Sequence, residues 1–223
     1  MKKHYSFFIC LFLALSSFLI SCGDSKNDPY NGHEYVDLGL PSGIKWATCN
    51  VGANNPWEDG DYYAWGETVV KSYYDWSTYK WCNGSYDTQT KYCISSRCGT
   101  VDNKTVLDPE DDVAHVKWDG SWRMPTKAEL DELRYNCTWN WTTLNGVNGY
   151  TVTGPNGNSI FLPAAGYRYG TEVGSRGSDG YYWSLSLSSG LSNCAYYLGS
   201  LSGTYGRSLN YRCYGQSVRP VSE

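Results

Sequence analysis

Turn-forming residues break this chain into pieces too short for long helices. Pro41-Ser42-Gly43, Asn83-Gly84, Asp108-Pro109 and Gly154-Pro155-Asn156-Gly157 each mark a reversal, and Gly99 interrupts a polar stretch between them. Strand-favouring residues fill the gaps. The chain holds 21 Tyr, 10 Trp and 24 Gly, whereas the strong helix formers Ala, Leu, Glu and Lys are sparse. The expected class is α+β, with short antiparallel strands, one or two helices and long ordered loops.

Local patterns place the elements. Residues 35–40 alternate, turn at Pro41-Ser42-Gly43 and return through 44–50 as a hairpin. Residues 62–66 read as another strand. Regularity fades over 69–117, which reads as a loop-rich insertion packed by its own aromatics. Thr126 with Glu129 three residues on is a capping box, and Leu130 and Leu133 share a face, so a helix is expected to about Asn136. Residues 150–153 and 159–163 form a further hairpin. Strands joined by Gly/Ser-rich loops should follow to the C-terminus.

The N-terminus carries an export signal. Met1-Lys2-Lys3-His4 is basic, and the apolar run 7–20 is 14 residues long, short of the roughly 20 that span a bilayer as a helix. Leu19-Ile20-Ser21-Cys22 resembles a bacterial lipobox, which implies cleavage before Cys22 and lipidation of its sulfur. Acyl chains contribute about 0.8 kcal/mol per buried methylene, so several make a permanent membrane anchor. The expected organisation is a signal peptide over 1–21, a lipidated flexible tether over 22–34 and a domain over 35–223. Asp24 and Asp28 resemble the acidic tethers of surface-exported Bacteroidetes lipoproteins, which implies an outer-membrane, surface-exposed placement.

Composition excludes several functions. Net charge is −4 without a basic cluster, which argues against nucleic acid. With Cys10 and Cys22 set aside, Cys49, Cys82, Cys93, Cys98, Cys137, Cys194 and Cys213 remain. Export permits disulfides, yet an odd number leaves at least one thiol unpaired within the chain. No metal spacing is present. Glu58-Asp59-Gly60-Asp61 and Asp108-Pro109-Glu110-Asp111-Asp112 do not match the EF-hand pattern and read as solvated acidic loops. His33 and His115 stand outside any catalytic motif, so no enzyme, cofactor or metal is expected.

Four phrases then occur in order: Trp122-Arg123-Met124-Pro125-Thr126 with Glu129, Leu162-Pro163-Ala164-Ala165-Gly166-Tyr167-Arg168, Gly180-Tyr181-Tyr182-Trp183-Ser184, and Gly215-Gln216-Ser217-Val218-Arg219-Pro220-Val221. Together they resemble the Fibrobacter succinogenes major paralogous domain, in its formylglycine-generating-enzyme-like branch, over residues 35–221. The opening, Val36-Asp37-Leu38-Gly39-Leu40 through Trp65-Gly66-Glu67-Thr68, is similar to that of Bacteroidales members. The resemblance implies a C-type-lectin-like fold. Trp122, Trp183 and Leu162 are then expected in a core between sheet and helix. Arg168 and Arg219 should be partly buried, bonded to carbonyls or to carboxylates such as Glu129. The Glu-Pro-Asn and Gln-Pro-Asp tripeptides of calcium-dependent lectins are absent.

Residues 181–222 contain ten Ser, seven Tyr and five Gly but no Lys, Asp, Glu or His. Tyr gives rigid contact area while Ser and Gly adapt, which is a paratope-like composition. The stretch resembles the variable region of diversity-generating-retroelement target proteins, in which adenine mutagenesis of Asn codons reaches Leu, Gly, Ser, Cys, Tyr, Arg and Thr but not Lys, Glu or Met. That resemblance makes 181–214 a variable region, with Leu185, Leu187, Gly190, Leu191, Cys194, Tyr197, Gly199, Leu201, Tyr205, Arg207, Leu209, Tyr211 and Cys213 as ligand-binding positions. Ala195, Tyr196 and Leu198 fit the constant framework. The expected partner is a macromolecule, protein or glycan. A fixed-partner structural or adhesive lipoprotein is the alternative. A formylglycine-generating type of enzyme using Cys194 and Cys213 is the weakest reading.

Overall fold

The computed structural model describes residues 28–223. In chain order its elements are β1 (Tyr35–Asp37), β2 (Lys45–Ala47), α1 (Val113–Trp118), α2 (Lys127–Asn136), β3 (Thr138–Leu144), β4 (Val147–Thr153), β5 (Ser159–Pro163), β6 (Tyr167–Tyr169), β7 (Glu172–Gly174), β8 (Asp179–Leu187), β9 (Cys194–Leu201), β10 (Thr204–Tyr211) and β11 (Val221–Ser222). The protein is α+β, built from small antiparallel sheets. Their strand orders are β1-β2-β11, β3-β4-β5, β8-β9-β10 and β6-β7.

The first hairpin forms as expected, with Tyr35 opposite Ala47, and β11 joins the other edge of β2. The second expected hairpin is present but longer. β3, which the sequence reading missed, pairs along β4 through a two-residue turn at Asn145 and Gly146, both at positive φ. Residues 62–66 are not a strand and keep one bridge, Tyr63 to Gln216. Side chains bond the carbonyls along this segment: Tyr74 Oη donates to Tyr62 O, Tyr79 Oη to Trp65 O and Trp81 Nε1 to Gly66 O, while Trp183 Nε1 shares Tyr63 O with the Gln216 backbone.

Helix α2 begins where the capping box places it. Glu129 N donates to Thr126 Oγ1 at 3.1 Å, and Thr126 N donates to the Glu129 carboxylate at 2.7 Å. Glu129 also takes both guanidinium nitrogens of Arg123, at 2.8 and 2.6 Å. Its expected link to Arg168 or Arg219 is therefore replaced by a bidentate pair with Arg123. Leu130 and Leu133 seat α2 in one buried cluster with Leu162, Tyr182 and Leu198. Trp122 and Trp183 lie in another, with Trp65, Tyr92 and Trp118, so the single core expected from Trp122, Trp183 and Leu162 is two.

Two expected loops are more ordered than their sequences suggest. The 69–117 insertion contains α1, capped by Asp112, whose carboxylate accepts from Ala114 N and His115 N. Six residues are too few to show helical periodicity. The flexible tether expected over 22–34 is corrected over its later part. Trp122 Nε1 donates to Tyr30 O at 2.7 Å, Asn31 Nδ2 donates to Trp118 O at 2.8 Å, and the His33 ring stacks on Trp118 at 3.8 Å. Asp28 accepts from Tyr30 N and Gly32 N, closing a turn instead of hanging free. The signal segment, Cys22 and Asp24 lie outside the described residues.

Two arginines bind the loops from inside. Arg219, 1% exposed, donates to Asn50 Oδ1 and to the carbonyls of Ala47, Thr48 and Phe161. Arg212, unremarked in sequence and fully buried, donates to Tyr79 Oη and the carbonyls of Lys91, Tyr92 and Ser192. Its guanidinium also packs on Trp65, Tyr79 and Tyr92. The insertion is thus fastened to the C-terminal chain as well as packed on itself. Arg168 is half-buried over the Tyr62 ring.

Candidate functional site

Strand alternation divides the thirteen expected ligand-binding positions. Leu185, Leu187, Cys194 and Cys213 are buried, at 6, 3, 7 and 0% exposure, and belong to the core and not to a contact surface. Leu185 and Leu187 pack beside Trp183 and Ala195, and Cys213 beside Tyr74 and Tyr79. A Ser/Gly-rich background disguises these core residues as loop residues. Tyr205 and Arg207 face α2 and β3: Tyr205 stacks on Trp139 at 4.5 Å, and Arg207 Nε reaches Asp131 at 2.8 Å. Leu209 is exposed, as are Gly190, Leu191 and Leu201 in the loop after β8 and at the β9–β10 turn. The framework assignments Ala195 and Leu198 are buried, while Tyr196 is half-exposed between Lys127 and Arg207.

Tyr197 and Tyr211 instead belong to a continuous ribbon of seven aromatic rings, and Gly199 stands opposite Tyr181 at its edge. Tyr197 stacks on Tyr181 at 5.3 Å, and Tyr181 meets Tyr167 at 4.9 Å. Tyr167 stacks on Tyr214 at 5.8 Å, and Tyr214 touches Tyr169 at 4.9 Å and Tyr211 at 5.7 Å. Tyr211 ends the series against Trp76 at 5.9 Å. These spacings fall within the attractive range for offset and edge-to-face rings. All seven are at least partly exposed, Tyr169 and Tyr211 most so.

Four parts of the chain supply the ribbon. Tyr181 and Tyr197 come from β8 and β9, Tyr167 and Tyr169 from β6, Tyr211 and Tyr214 from the end of β10, and Trp76 from the insertion. The sequence reading missed Tyr167, Tyr169 and Trp76. The i, i+2 spacing of Tyr167 and Tyr169 was the available signal for two of them; Trp76 had none. Gly215 holds β6 in place by close approach. Arg168 N donates to Gly215 O at 2.7 Å, and Gly215 N donates back at 2.9 Å. A Cβ on Gly215 would stand 2.7 Å from the Tyr74 ring and 3.0 Å from Arg168 Cβ.

The ribbon is electron-rich and edged by acid. Tyr181 Oη bonds Asp179 at 3.3 Å, Glu172 stands opposite Tyr169 in the β6–β7 register, and Asp75 precedes Trp76. None of these carboxylates forms an ion pair among the described residues. Burial pushes the Tyr181 and Tyr214 phenols up to about 12, with Asp179 adding to the effect at Tyr181. Both of these phenols are therefore neutral near pH 7.

Thiols and acidic clusters also lie away from the ribbon. Burial pushes the Cys194 thiol up to about 11 and raises Cys213 as well, which disfavours the reactive thiolate. All seven described cysteines are unpaired thiols. Oxygens of Asp108, Glu110 and Asp111 converge, yet Lys91 Nζ stands 2.7, 3.7 and 2.6 Å from them. An ammonium thus occupies the position a cation would take. Asp111 is also buried, so this loop is not the solvated one expected. In the other acidic loop, Glu58 accepts from Asn54 and Asn55, Asp59 pairs with Arg176, and Asp61 accepts from Tyr63 Oη. A shallow groove of about 310 Å³ lies between Thr105, Lys127, Ser186 and Tyr196.

Comparison with protein-family models, with curated proteins and with solved structures finds no match for this chain.

Proposed function

We propose that the protein is an exported, lipid-anchored binding protein of the cell envelope. Its domain has a C-type-lectin-like fold, acts without covalent chemistry and displays the aromatic ribbon to a macromolecular ligand. The observation that carries this reading is the ribbon itself: seven contiguous, partly exposed rings, four of them within the paratope-like stretch 181–214. Aromatic residues clustered at a surface supply most of the affinity in macromolecular interfaces.

Diversification by a retroelement belongs to the same proposal, narrowed by burial. Substitutions are expected at exposed positions such as Leu191, Leu201, Leu209 and Tyr211 and at half-buried Tyr197, and not at Leu185, Leu187, Cys194 or Cys213, whose side chains fill the core. Resequencing the 3′ end of the gene across sibling isolates tests this. An invariant 3′ end removes diversification and leaves a surface lipoprotein with a fixed partner.

The binding test immobilises the mature chain and challenges it with a displayed peptide library and a printed glycan array. Retention that disappears in Tyr169→Leu and Tyr211→Ser supports the reading. Retention unchanged by both substitutions sinks it. Palmitate labelling that vanishes in Cys22→Ala tests the anchor, and protease shaving of intact cells tests surface placement.

A further inference from the structure

We infer that the ribbon takes an extended cationic peptide, with arginine side chains laid against its rings. This deepens the binding reading above and rests on it.

The argument begins with how this protein uses aromatic faces elsewhere. Cations pack on Tyr62, Tyr74, Tyr79, Trp81, Tyr92, Tyr135, Tyr196 and Trp65, drawn by the negative face of each ring. Among the described residues, no cation lies over any of the seven ribbon rings. Some carboxylates elsewhere, such as Asp37, Asp111 and Glu129, hold a Lys or Arg, while others, such as Glu58 and Asp102, take only neutral donors. Among the described residues, Asp75, Glu172 and Asp179, the three along the ribbon, hold no cation, and they stand beside rings that carry none. Arg168, the one cation on β6, points away from the ribbon onto Tyr62. Electron-rich rings and carboxylates that take only neutral donors thus share one surface, and the partner that suits both is positive charge.

Extent selects a polymer over a single ammonium ion. The ring path from Tyr197 to Trp76 runs through five contacts of 4.9 to 5.9 Å, with Asp179 near one end and Asp75 at the other. An occupant that satisfies both ends carries several charges along its length. Guanidinium is favoured over ammonium because it is planar, weakly hydrated and stacks on phenol faces while still bonding a carboxylate. The same acid edge repels anionic glycans and nucleic acid.

The test uses the mature chain and two labelled probes: an alternating Gly-Arg peptide and its Gly-Gln counterpart. Binding is read by fluorescence anisotropy at low and at physiological salt. The Arg peptide is expected to bind at least about tenfold more tightly than the Gln peptide and to weaken as salt rises. Tyr169→Leu and Glu172→Gln are each expected to weaken it by about two- to fivefold. Tyr169→Phe, which keeps the ring, and Tyr135→Leu, off the ribbon, leave it unchanged. Equal binding of the Arg peptide by wild type, Tyr169→Leu and Glu172→Gln would overturn the inference, since attraction would then follow net charge alone. Failure of the Arg peptide, with ribbon-dependent retention of neutral or acidic library peptides or of glycans, would overturn the cationic class and leave the binding reading standing. Absence of any ribbon-dependent retention would overturn both.

Discussion

The protein contains two aromatic assemblies that differ in how their electrostatics are completed. Around Arg212, the rings of Trp65, Tyr79 and Tyr92 enclose a guanidinium that makes four hydrogen bonds to oxygen acceptors within the fold. Along the ribbon, seven rings and three carboxylates are at least partly exposed, with no cation among the described residues placed over the rings or paired with the carboxylates. The first assembly is closed and holds the insertion to the C-terminal strands. The second is stabilised by ring contacts yet leaves its charge preference unmet. Structure-forming and ligand-ready aromatic clusters can thus be told apart by asking where the cations are.

Removing the closed assembly's cation should have the largest effect. Arg212→Ala strands the carbonyls of Lys91, Tyr92 and Ser192 in the interior, and each buried unsatisfied group costs about 1–3 kcal/mol. A loss of at least about 3 kcal/mol is expected in urea unfolding, read as a lower midpoint. Arg212→Lys should recover only part of it, because an ammonium cannot reproduce the planar fork. A change below about 1 kcal/mol for Arg212→Ala would mean that the insertion is not fastened this way.

Gly215→Ala strikes the support beneath the ribbon. The added methyl meets the Tyr74 ring and Arg168 Cβ inside normal contact distance, so β6 must shift or Tyr74 must rotate. Overpacking of this kind costs about 1–3 kcal/mol. The near-ultraviolet circular dichroism of the tyrosines should change with it. An unaltered spectrum and midpoint would show that β6 tolerates displacement and that the ribbon geometry is not held by Gly215.

The capping box is a smaller lever that lies outside both assemblies. Thr126→Ala removes the acceptor for Glu129 N and should cost about 1 kcal/mol by urea midpoint. Because Arg123 still fixes Glu129, the loss should fall short of the upper end for a lost cap. A loss above about 2 kcal/mol would show that the cap and the Arg123 pair act as one unit.

Acid should loosen the insertion through Asp108. Its carboxyl is held below the ordinary 3.8, first by the hydrogen bond from Lys104 and then by Lys91. A carboxylate with a depressed folded value contributes stability that is fully present above the unfolded value and is lost as pH falls through the folded one. Trp81, over which Lys80 and Lys91 pack, should therefore keep its fluorescence constant from neutrality to about pH 4 and change only below that. Asp108→Asn should flatten the acid limb of that titration. A transition centred near pH 6 would point to a histidine and not to this cluster.

What the sequence revealed followed the range of its signals. The α2 capping box and the first hairpin were legible because each is encoded within a few neighbouring residues. Trp122, Trp183 and Leu162 were recognisable as core because large apolar residues in recurring phrases rarely stay exposed. The candidate surface was only half legible. Tyr197 and Tyr211 stood out by composition, yet Leu185, Leu187, Cys194 and Cys213 shared that composition and are buried. A strand sends alternate residues to opposite faces, and composition does not record which face is which. Trp76 joins the ribbon from more than a hundred residues away in sequence, a distance no local pattern spans.

The smallest stability effect separates the two assemblies most cleanly. Tyr169 is half exposed, lies under no cation and donates no side-chain hydrogen bond among the described residues, whereas Tyr79 is buried, accepts from Arg212 and donates to Trp65 O. Tyr169→Ser should therefore shift unfolding stability by no more than about 0.5 kcal/mol, while Tyr79→Ser should cost several times as much. If Tyr169→Ser costs about 1.5 kcal/mol or more, the ribbon is a structural element whose rings support one another, and its exposure is incidental. If Tyr169→Ser leaves stability intact, the fold does not require the ring, and the outward stacking of Tyr167, Tyr169 and Tyr214 calls for a reason beyond folding. That reason is the one a ligand supplies.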